Sequence, residues 1–274
     1  MSELEFIKNA LNEDIGRGDL FSKICDDKIV KANVLAKDDG VFSGKKYISI
    51  LLSLVGLESR FYFNDGEEFN KYDILLEISG SYLWILKIER TLLNILQHSS
   101  GIATNVKSYT RILQENSFNT ILLDTRKTRP NLREFEKYSV LNGGARNHRL
   151  GLDDCLMLKD TNLSHISNLA DFIREARVKI PWTSKIEIEC DCINMAKEAM
   201  ECGVDIIMCD NMKPNDIIEV VSHRNKYYPH ILLEASGNIS KENILDYAKT
   251  KVDAISIGSL IHHATWIDLS LKMA

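Results

Sequence analysis

The stretch IEIECDCINMAKEAMECGVDIIMCD, residues 186–210, sets the pattern for the second half of the chain. It opens with the strand-like run IEIEC and closes with the apolar run IIMCD. Between them, apolar residues recur at helical spacing in residues 195–201. A strand, a helix and a second strand within about 25 residues form a βαβ unit, whose two strands are parallel. The stretch therefore predicts part of a parallel sheet in an α/β protein.

The same rhythm runs through the chain after residue 120. Short apolar runs end in a charged or polar residue at 121–124, 155–160, 186–190, 206–210, 231–236 and 254–258. Helical stretches are predicted between the later runs, at 166–178, 195–201, 214–225 and 241–249. Six polar strand ends would converge on one mouth in a β/α barrel, whereas an open sheet would string them along an edge. Convergence favours a barrel, and six strands instead of eight indicate an incomplete one.

The first hundred residues have a different pattern. Helices are predicted over 3–12 and 45–54, and strands over 30–36 and 73–78. This mixture predicts a separate α+β domain. Residues 85–117 are strongly helical, and Gly101 predicts a break within them.

Composition limits the function classes. The chain has 274 residues, a net charge of -5, 45% hydrophobic residues and a mean hydropathy of -0.15. A negative chain disfavours general binding to nucleic acid or to anionic membranes. The sequence holds no apolar run of the roughly 18 residues that a membrane helix needs. The acidic start MSELEFIKNALNED lacks the basic region of a signal peptide, so a cytoplasmic protein is expected.

The positive charge is concentrated in one segment. Between Arg126 and Arg149 there are seven Lys or Arg residues and two Glu, which makes that segment +5 in an acidic chain. Its first part, TRKTRP (125–130), follows a predicted strand directly. Guanidinium groups bind carboxylates and phosphates in a two-pronged way. The alternatives are a pocket for a small, multiply charged anion or a solvated basic loop.

Further candidates lie at strand ends. GGARNHRLGLDD (143–154) adds His148 and Arg149, and Lys159 ends the run CLMLK. Glu187 and Glu189 share a strand face, because side chains alternate along a strand. Glu189 and Asp210, which ends the next strand, could hold Mg²⁺ through oxygen ligands. The competing interpretations are a surface histidine, a snorkelling lysine and a solvated acidic face.

Two glycine- and serine-containing loops follow the last predicted strands, EASGNIS (234–240) and SIGSL (256–260). Backbone N–H groups at such loops bind phosphate, often after the last strands of a barrel. Arg90 lies in the helical stretch IERTLLN. It is either an ordinary surface arginine or a group that reaches the pocket of another subunit.

Together these motifs resemble the quinolinate phosphoribosyltransferase family, also called nicotinate-nucleotide pyrophosphorylase (carboxylating). The resemblance runs from about residue 11 to 270, and its most specific parts are DTRKT and GGARNHR at their spacing. It implies an N-terminal α/β sandwich domain, residues 1–100 joined by 263–274, and an incomplete seven-stranded α/β barrel, residues 101–262. It also implies a homodimer with shared active sites, which can assemble further into a hexamer.

The implied reaction joins quinolinate to phosphoribosyl pyrophosphate with Mg²⁺ and releases nicotinate mononucleotide, pyrophosphate and CO₂ for NAD synthesis. The resemblance places the neighbouring subunit's Arg90 at quinolinate with Thr125, Arg126, Lys127, His148 and Arg149. It makes Lys159, Glu189 and Asp210 catalytic, the two carboxylates organising Mg²⁺ and the ribose. It assigns the phosphate end to Ser236, Gly237, Asn238, Ile257, Gly258 and Ser259.

Two positions depart from the family pattern. The family commonly has KDNH after the strand lysine, whereas this chain has Asn162 in place of the histidine, and Asn238 stands where glycine is usual. Both changes leave the main charged set intact. The rival readings are a related phosphoribosyltransferase that acts on another base, such as nicotinate, and a catalytically silent homologue.

Overall fold

The computed structural model describes residues 2–274 and divides them into two compact units. The first comprises the chain up to Ser108 together with 129–144 and 263–274, and the second comprises 109–128 and 145–262. The barrel domain predicted over 101–262 includes 101–108 and 129–144, which cluster here with the first unit. The second of these segments contains the helix Arg133–Asn142. The segment clusters with the first unit because Phe135 packs in that unit's core, with its ring 5.3 Å from Phe6 and 4.9 Å from Tyr47.

The first unit combines an antiparallel sheet with helices. Its helices are α1 (Glu3–Ile15), a 3₁₀ turn (Phe21–Lys23), α2 (Lys45–Leu54), most of α3 (Tyr82–Glu115) and α4 (Arg133–Asn142). Its strands are β1 (Ile29–Ala36), β2 (Gly40–Val41), β3 (Glu58–Phe61), β4 (Glu68–Phe69), β5 (Ile74–Ser81) and β12 (Leu269–Met273). The sheet order is β12-β1-β5-β3, and β2 pairs with β4. The last strand thus returns to pair with the first.

Alternating burial explains how this sheet forms one wall of a core. In β1, Ala32, Val34 and Ala36 are buried while the residues between them are not. Period-two burial of this kind places one face of the strand against apolar neighbours. The predicted helices at 3–12 and 45–54 and the predicted strands at 30–36 and 73–78 are all present, within a few residues at their ends.

The predicted break in the long helix is wrong. Helix α3 runs from Tyr82 to Glu115 without interruption through Gly101. The glycine serves close packing, because a Cβ at that position would lie 2.1 Å from the carbonyl oxygen of Thr265. A glycine that lets backbone approach looks the same in sequence as one that interrupts a helix.

The second unit follows the predicted strand–helix rhythm. Its strands are β6 (Ile121–Leu123), β7 (Leu156–Leu158), β8 (Ile186–Cys190), β9 (Ile206–Asp210), β10 (Leu232–Ser236) and β11 (Ala254–Ser256). Its helices are α5 (Asp160–Leu163), α6 (Leu169–Lys179), α7 (Ile193–Glu201), α8 (Pro214–Tyr227), α9 (Ile244–Ala248) and α10 (Ser259–His262). Pro214 occupies the first turn of α8, where its missing N–H costs nothing.

The six strands form one parallel sheet in the order β6-β11-β10-β9-β8-β7. An isolated parallel bridge joins Leu123 of β6 to Arg146, which adds a seventh position beside β6. The prediction of an incomplete α/β barrel is confirmed, with its seventh strand reduced to one bridge. Among residues 2–274, no helix combines the length and the apolar character needed to cross a membrane.

Candidate active site

Strand register places the chemistry-bearing residues of the second unit on one face of its sheet. Glu189 pairs with Met208, and Met208 pairs in turn with Glu234. Residues two apart along a strand point to the same side of the sheet. Partners that face each other across neighbouring strands also share that side. The residues so aligned are Lys159, Glu187, Glu189, Asp210, Glu234, Ser236 and Ser256.

Lys159 and Glu189 form an ion pair at this face. The ammonium Nζ of Lys159 donates to Glu189 Oε2, and the Glu189 side chain is 17% exposed. Asn162, the departure from the family pattern, accepts the backbone N–H of Lys159 through its side-chain oxygen at 3.0 Å. It therefore holds the backbone of the strand-end lysine, a contact that spacing alone did not reveal.

His148 lies between two buried carboxylates. Its Nε2 is 3.3 Å from Glu187 and 3.2 Å from Glu234 Oε2, and both glutamates are almost wholly buried. Burial opposes a charge on the ring, but the hydrogen bonds to the two glutamates outweigh it and raise the pKa of His148 to about 10. Burial raises the pKa of Glu234 as well.

The other ring nitrogen of His148 is also engaged. Nδ1 lies 2.7 Å from the backbone nitrogen of Arg149, and it accepts that N–H when the ring is neutral and its proton is on Nε2. The raised pKa of His148 keeps a further proton in the cluster of His148, Glu187 and Glu234 at neutral pH. The liganding atoms of these three residues lie within 4.8 Å of one another, so they could also hold a metal ion. Glu234 was not among the predicted site residues. The one sequence signal for its role is its position at the end of the apolar run Ile231–Leu233.

Asp124 anchors the loop that carries His148. It follows β6 directly and is fully buried. Its carboxylate accepts the backbone N–H of His148 at 2.9 Å and the Nδ2 of Asn147 at 2.7 Å. A buried carboxylate satisfied by several donors is a rigid attachment point. The strand end therefore positions the motif GGARNHR.

The structure brings the motif TRKT next to the loop after β11. Thr125 Oγ1 accepts the backbone N–H of Lys127 at 3.1 Å. A Cβ at Gly258 would lie 2.9 Å from Lys127 Cδ and 3.4 Å from Thr125 Oγ1, so the glycine makes room for both. The backbone N–H of Ile257 donates to the carbonyl of Leu123 at 3.0 Å. Gly258 is followed by Ser259, the first residue of α10.

The remaining predicted cations have distinct surroundings. Arg126 is half-buried in the second unit, and Arg149 Nη1 donates to the carbonyl of Cys155 at 3.0 Å. Arg129 belongs to the first unit, where its Nη1 donates to Glu136 at 2.6 Å and lies 3.3 Å from His98 Nε2. Part of the positive segment therefore neutralises a fully buried glutamate and is structural.

Arg90 also belongs to the first unit. It is exposed on α3 and lines a pocket of about 360 Å³ with Asn94, His98, Phe135 and Trp266 among its walls. Arg90 therefore belongs to a different unit of the chain from the candidate residues on the sheet.

Comparison with known proteins assigns the family. Profiles of the N-terminal and C-terminal domains of quinolinate phosphoribosyl transferase match residues 19–100 and 102–272. The chain is 37% identical to a probable nicotinate-nucleotide pyrophosphorylase (carboxylating) of Methanocaldococcus jannaschii, over 98% of this chain and 96% of that protein. It is 35% identical to the nicotinate-nucleotide pyrophosphorylase (carboxylating) of Dictyostelium discoideum, over 98% and 95%.

Structural similarity agrees. The nicotinate-nucleotide pyrophosphorylase from Francisella tularensis superposes with a TM-score of 0.92 at 30% identity, covering 99% of this chain and 96% of that one. Both domains of the family are matched, and the relatives are aligned over nearly their whole length. The chain therefore belongs to the quinolinate phosphoribosyl transferase family.

Proposed function

We propose that this chain joins quinolinate to the phosphoribosyl group of phosphoribosyl pyrophosphate and removes one carboxylate as CO₂. The products are nicotinate mononucleotide, pyrophosphate and CO₂, a step of de novo NAD synthesis. The observation that carries the proposal is the shared face of Lys159, Glu189 and Asp210 in a chain whose relatives are carboxylating nicotinate-nucleotide pyrophosphorylases.

The cations of the second unit suit a dicarboxylic substrate. We assign Arg126, Lys127 and Arg149 to the carboxylates of quinolinate, and Thr125 holds the loop that carries two of them. Paired guanidinium and ammonium groups bind carboxylates more strongly than neutral donors do. A base with one carboxylate, such as nicotinate, would leave part of this positive charge uncompensated.

The resemblance assigns His148 to a substrate carboxylate, and we propose a supporting role for it instead. Glu187 and Glu234 face its Nε2, so a substrate carboxylate at that nitrogen would meet like charge. The ring donates from Nε2 to the two glutamates, and its Nδ1 lies 2.7 Å from the backbone nitrogen of Arg149. It thereby keeps buried carboxylates from repelling the anionic substrate and fixes the backbone of a substrate-binding arginine.

Glu189 and Asp210 fit Mg²⁺. They lie on the same face of neighbouring parallel strands, and both are partly exposed. Mg²⁺ in proteins is bound by one or two carboxylates together with waters and substrate phosphates. When bound, the ion would neutralise the pyrophosphate leaving group. The carboxylates themselves stabilise the positive charge that develops on the ribose as pyrophosphate departs.

Lys159 lies beside these carboxylates and we assign it to the reacting groups. Its pairing with Glu189 holds the ammonium in one place before substrate arrives. A preoriented charge needs no reorganisation during the reaction. Once the ring nitrogen bears the sugar it is positive, and its charge stabilises the electron pair that CO₂ leaves on the adjacent ring carbon until a proton takes the place of the carboxylate. Decarboxylation therefore depends on positioning more than on a strong acid or base.

The phosphate end is assigned to two strand-end loops, Ser236–Asn238 after β10 and Ile257–Ser259 after β11. The strands that carry them are neighbours in the sheet. The side chains of Ser236 and Ser256 are hydrogen-bonded at 3.0 Å. Backbone N–H groups and hydroxyls at such loops are suitable donors to a phosphate.

We also propose that the enzyme is a cytoplasmic homodimer, with a hexamer as a further assembly, in which Arg90 completes the site of a neighbouring subunit. What supports this is the resemblance of the sequence motifs and the exposed position of Arg90 on the first unit. An exposed arginine beside an open pocket is available to an anion bound by another chain.

One assay tests the proposed reaction. Purified protein is incubated with quinolinate, phosphoribosyl pyrophosphate and Mg²⁺, and CO₂ and nicotinate mononucleotide are followed, with nicotinate as a competing base in parallel. We expect product from quinolinate and none from nicotinate. Product from nicotinate alone would overturn the dicarboxylate assignment, and product from neither would favour a silent homologue.

A further inference from the structure

Two neighbouring strand-end loops of the second unit are joined by side-chain hydrogen bonds that run through Asn211. Asn238 Nδ2 donates to Asn211 Oδ1 at 2.9 Å, and Asn211 Nδ2 donates to Asp210 Oδ2 at 2.6 Å. A carboxylate only accepts hydrogen bonds, so the amide nitrogen of Asn211 is the atom that faces Asp210. A continuous chain of hydrogen bonds therefore runs from the loop after β10 to the carboxylate that ends β9.

The backbone holds Asn211 in the position that this chain requires. Its N–H donates to the carbonyl of Ser236 at 2.8 Å, and its φ is +55°. Asparagine tolerates this left-handed conformation better than most residues. A Cβ at Gly237 would lie 2.3 Å from Asn211 Oδ1, so the asparagine amide occupies the space that a side chain there would need.

The loop after β10 is fixed from its other side as well. Asn243 Nδ2 donates to the carbonyl of Asn238 at 3.1 Å, and its Oδ1 accepts the N–H of Ser240 at 2.8 Å. Asn238 itself has a φ of +51°. A glycine could adopt that backbone but could not reach Asn211, so the residue that departs from the family pattern supplies a contact.

We infer that Asn211 and Asn238 are positioning residues that couple the carboxylate of Asp210 to the phosphate loop Ser236–Asn238. This inference rests on the proposed function, which places the cation at Asp210 and a phosphate at the loop. Asn211 restricts Asp210 to one orientation and fixes the loop backbone through Ser236. Phosphoribosyl pyrophosphate therefore meets a cation ligand and a phosphate loop that are already in register.

The test compares binding and turnover in single and double variants. Asn211→Gly keeps the left-handed backbone and removes both side-chain hydrogen bonds. We expect it to raise the KM and Kd for phosphoribosyl pyrophosphate with Mg²⁺ about tenfold, the loss typical of a hydrogen bond to a charged group. Asn238→Gly removes only the outer bond and should raise both about threefold. The KM for quinolinate should change less than about twofold in either variant.

The double variant shows whether Asn211 and Asn238 act as one connected chain of hydrogen bonds or as two independent contacts. If the side chains act through each other, Asn211→Gly with Asn238→Gly should bind no more weakly than Asn211→Gly alone. Ser117→Gly is the matched control, because Ser117 also has a positive φ, of 58°, and lies outside the site. Its kinetic constants should equal those of the wild type. If Asn211→Gly does not fold, the affinity of Asn238→Gly for phosphoribosyl pyrophosphate, compared with that of the wild type, tests the inference.

Several outcomes would overturn the inference: unchanged affinity for phosphoribosyl pyrophosphate, an equal loss for quinolinate, or additive effects in the double variant. Calorimetric binding distinguishes this failure from failure of the proposed function. If the wild type binds phosphoribosyl pyrophosphate but makes no product from quinolinate, the proposed reaction is contradicted. The binding affinities of the variants then still test the role of Asn211 and Asn238. A wild type that does not bind the sugar donor overturns both.

Discussion

His148 Nε2 lies 3.2 Å from Glu234 Oε2, and the glutamate is buried on the face that carries the proposed catalytic residues. This contact joins a histidine of the segment between α4 and β7 to strand β10 of the sheet. Since an unpaired buried carboxylate is costly, each residue stabilises the charge state of the other. The pair is therefore part of the site's electrostatics as well as of its packing.

We predict that Glu234→Gln lowers the pKa of His148 from its value of about 10, because one of two carboxylates that stabilise the protonated ring is removed. An NMR titration of the imidazole resonances measures this directly. Glu219→Gln, at an exposed glutamate, is the control, and an unchanged His148 titration in Glu234→Gln would contradict the assignment.

Arg126→Ala tests the dicarboxylate pocket. Loss of a charge-assisted hydrogen bond should raise the KM for quinolinate by about tenfold or more, and the KM for phosphoribosyl pyrophosphate by less than about twofold. Steady-state kinetics with each substrate varied in turn gives both constants. Arg174→Ala removes an exposed arginine of α6 and should match the wild type. Equal effects on the two substrates would refute the role of Arg126.

Mixing two inactive variants tests whether subunits share sites. Arg90→Ala combined with Arg149→Ala should recover about a quarter of wild-type activity, because half of randomly mixed dimers are hybrids with one intact site each. Activity is measured after subunit exchange has been confirmed by mass. Arg126→Ala mixed with Arg149→Ala should recover none, because both residues belong to the second unit and each site of a hybrid dimer would lack one of them. No recovery in the first mixture would argue against sharing.

The buried charge cluster of the first unit predicts a pH-dependent stability. Burial alone would raise the pKa of Glu136, but hydrogen bonds from His98 and Arg129 lower it below its ordinary value of 4.5. A lowered pKa stabilises the folded state above the unfolded pKa, and that contribution is lost as pH falls through the folded value. We therefore expect Glu136→Gln to lower the free energy of unfolding by about 2 kcal/mol at pH 7 and by less below pH 4.5.

Urea unfolding of the two proteins at a series of pH values checks this difference. Glu134→Gln changes an exposed glutamate in the same helical turn and should alter stability by less than about 0.5 kcal/mol. A difference between Glu136→Gln and the wild type that stays constant from pH 7 to pH 4 would show that the carboxylate charge does not stabilise the fold.

The strand rhythm after residue 120 could be predicted because each apolar run and its polar end lie within a few residues of one another. Glu187 and Glu189 were correctly placed on one face for the same reason, since strand alternation is a local property. Helix α4 escaped prediction, because the basic segment that contains it was interpreted for its charge. Its burial against Phe6 and Tyr47 depends on residues more than 80 positions away.

By itself, the sequence determined the α/β class, the strand ends that carry charge and the family, because periodicity and motif spacing are readable along the chain. Tertiary structure alone decided which charges face which. It set His148 between two buried glutamates, gave Arg129 to Glu136 and joined Asn238 to Asn211. It also used Gly101 for a close approach instead of a break. Each of these outcomes depends on strand register and on contacts between segments far apart in the chain, and local residue patterns do not encode such distances.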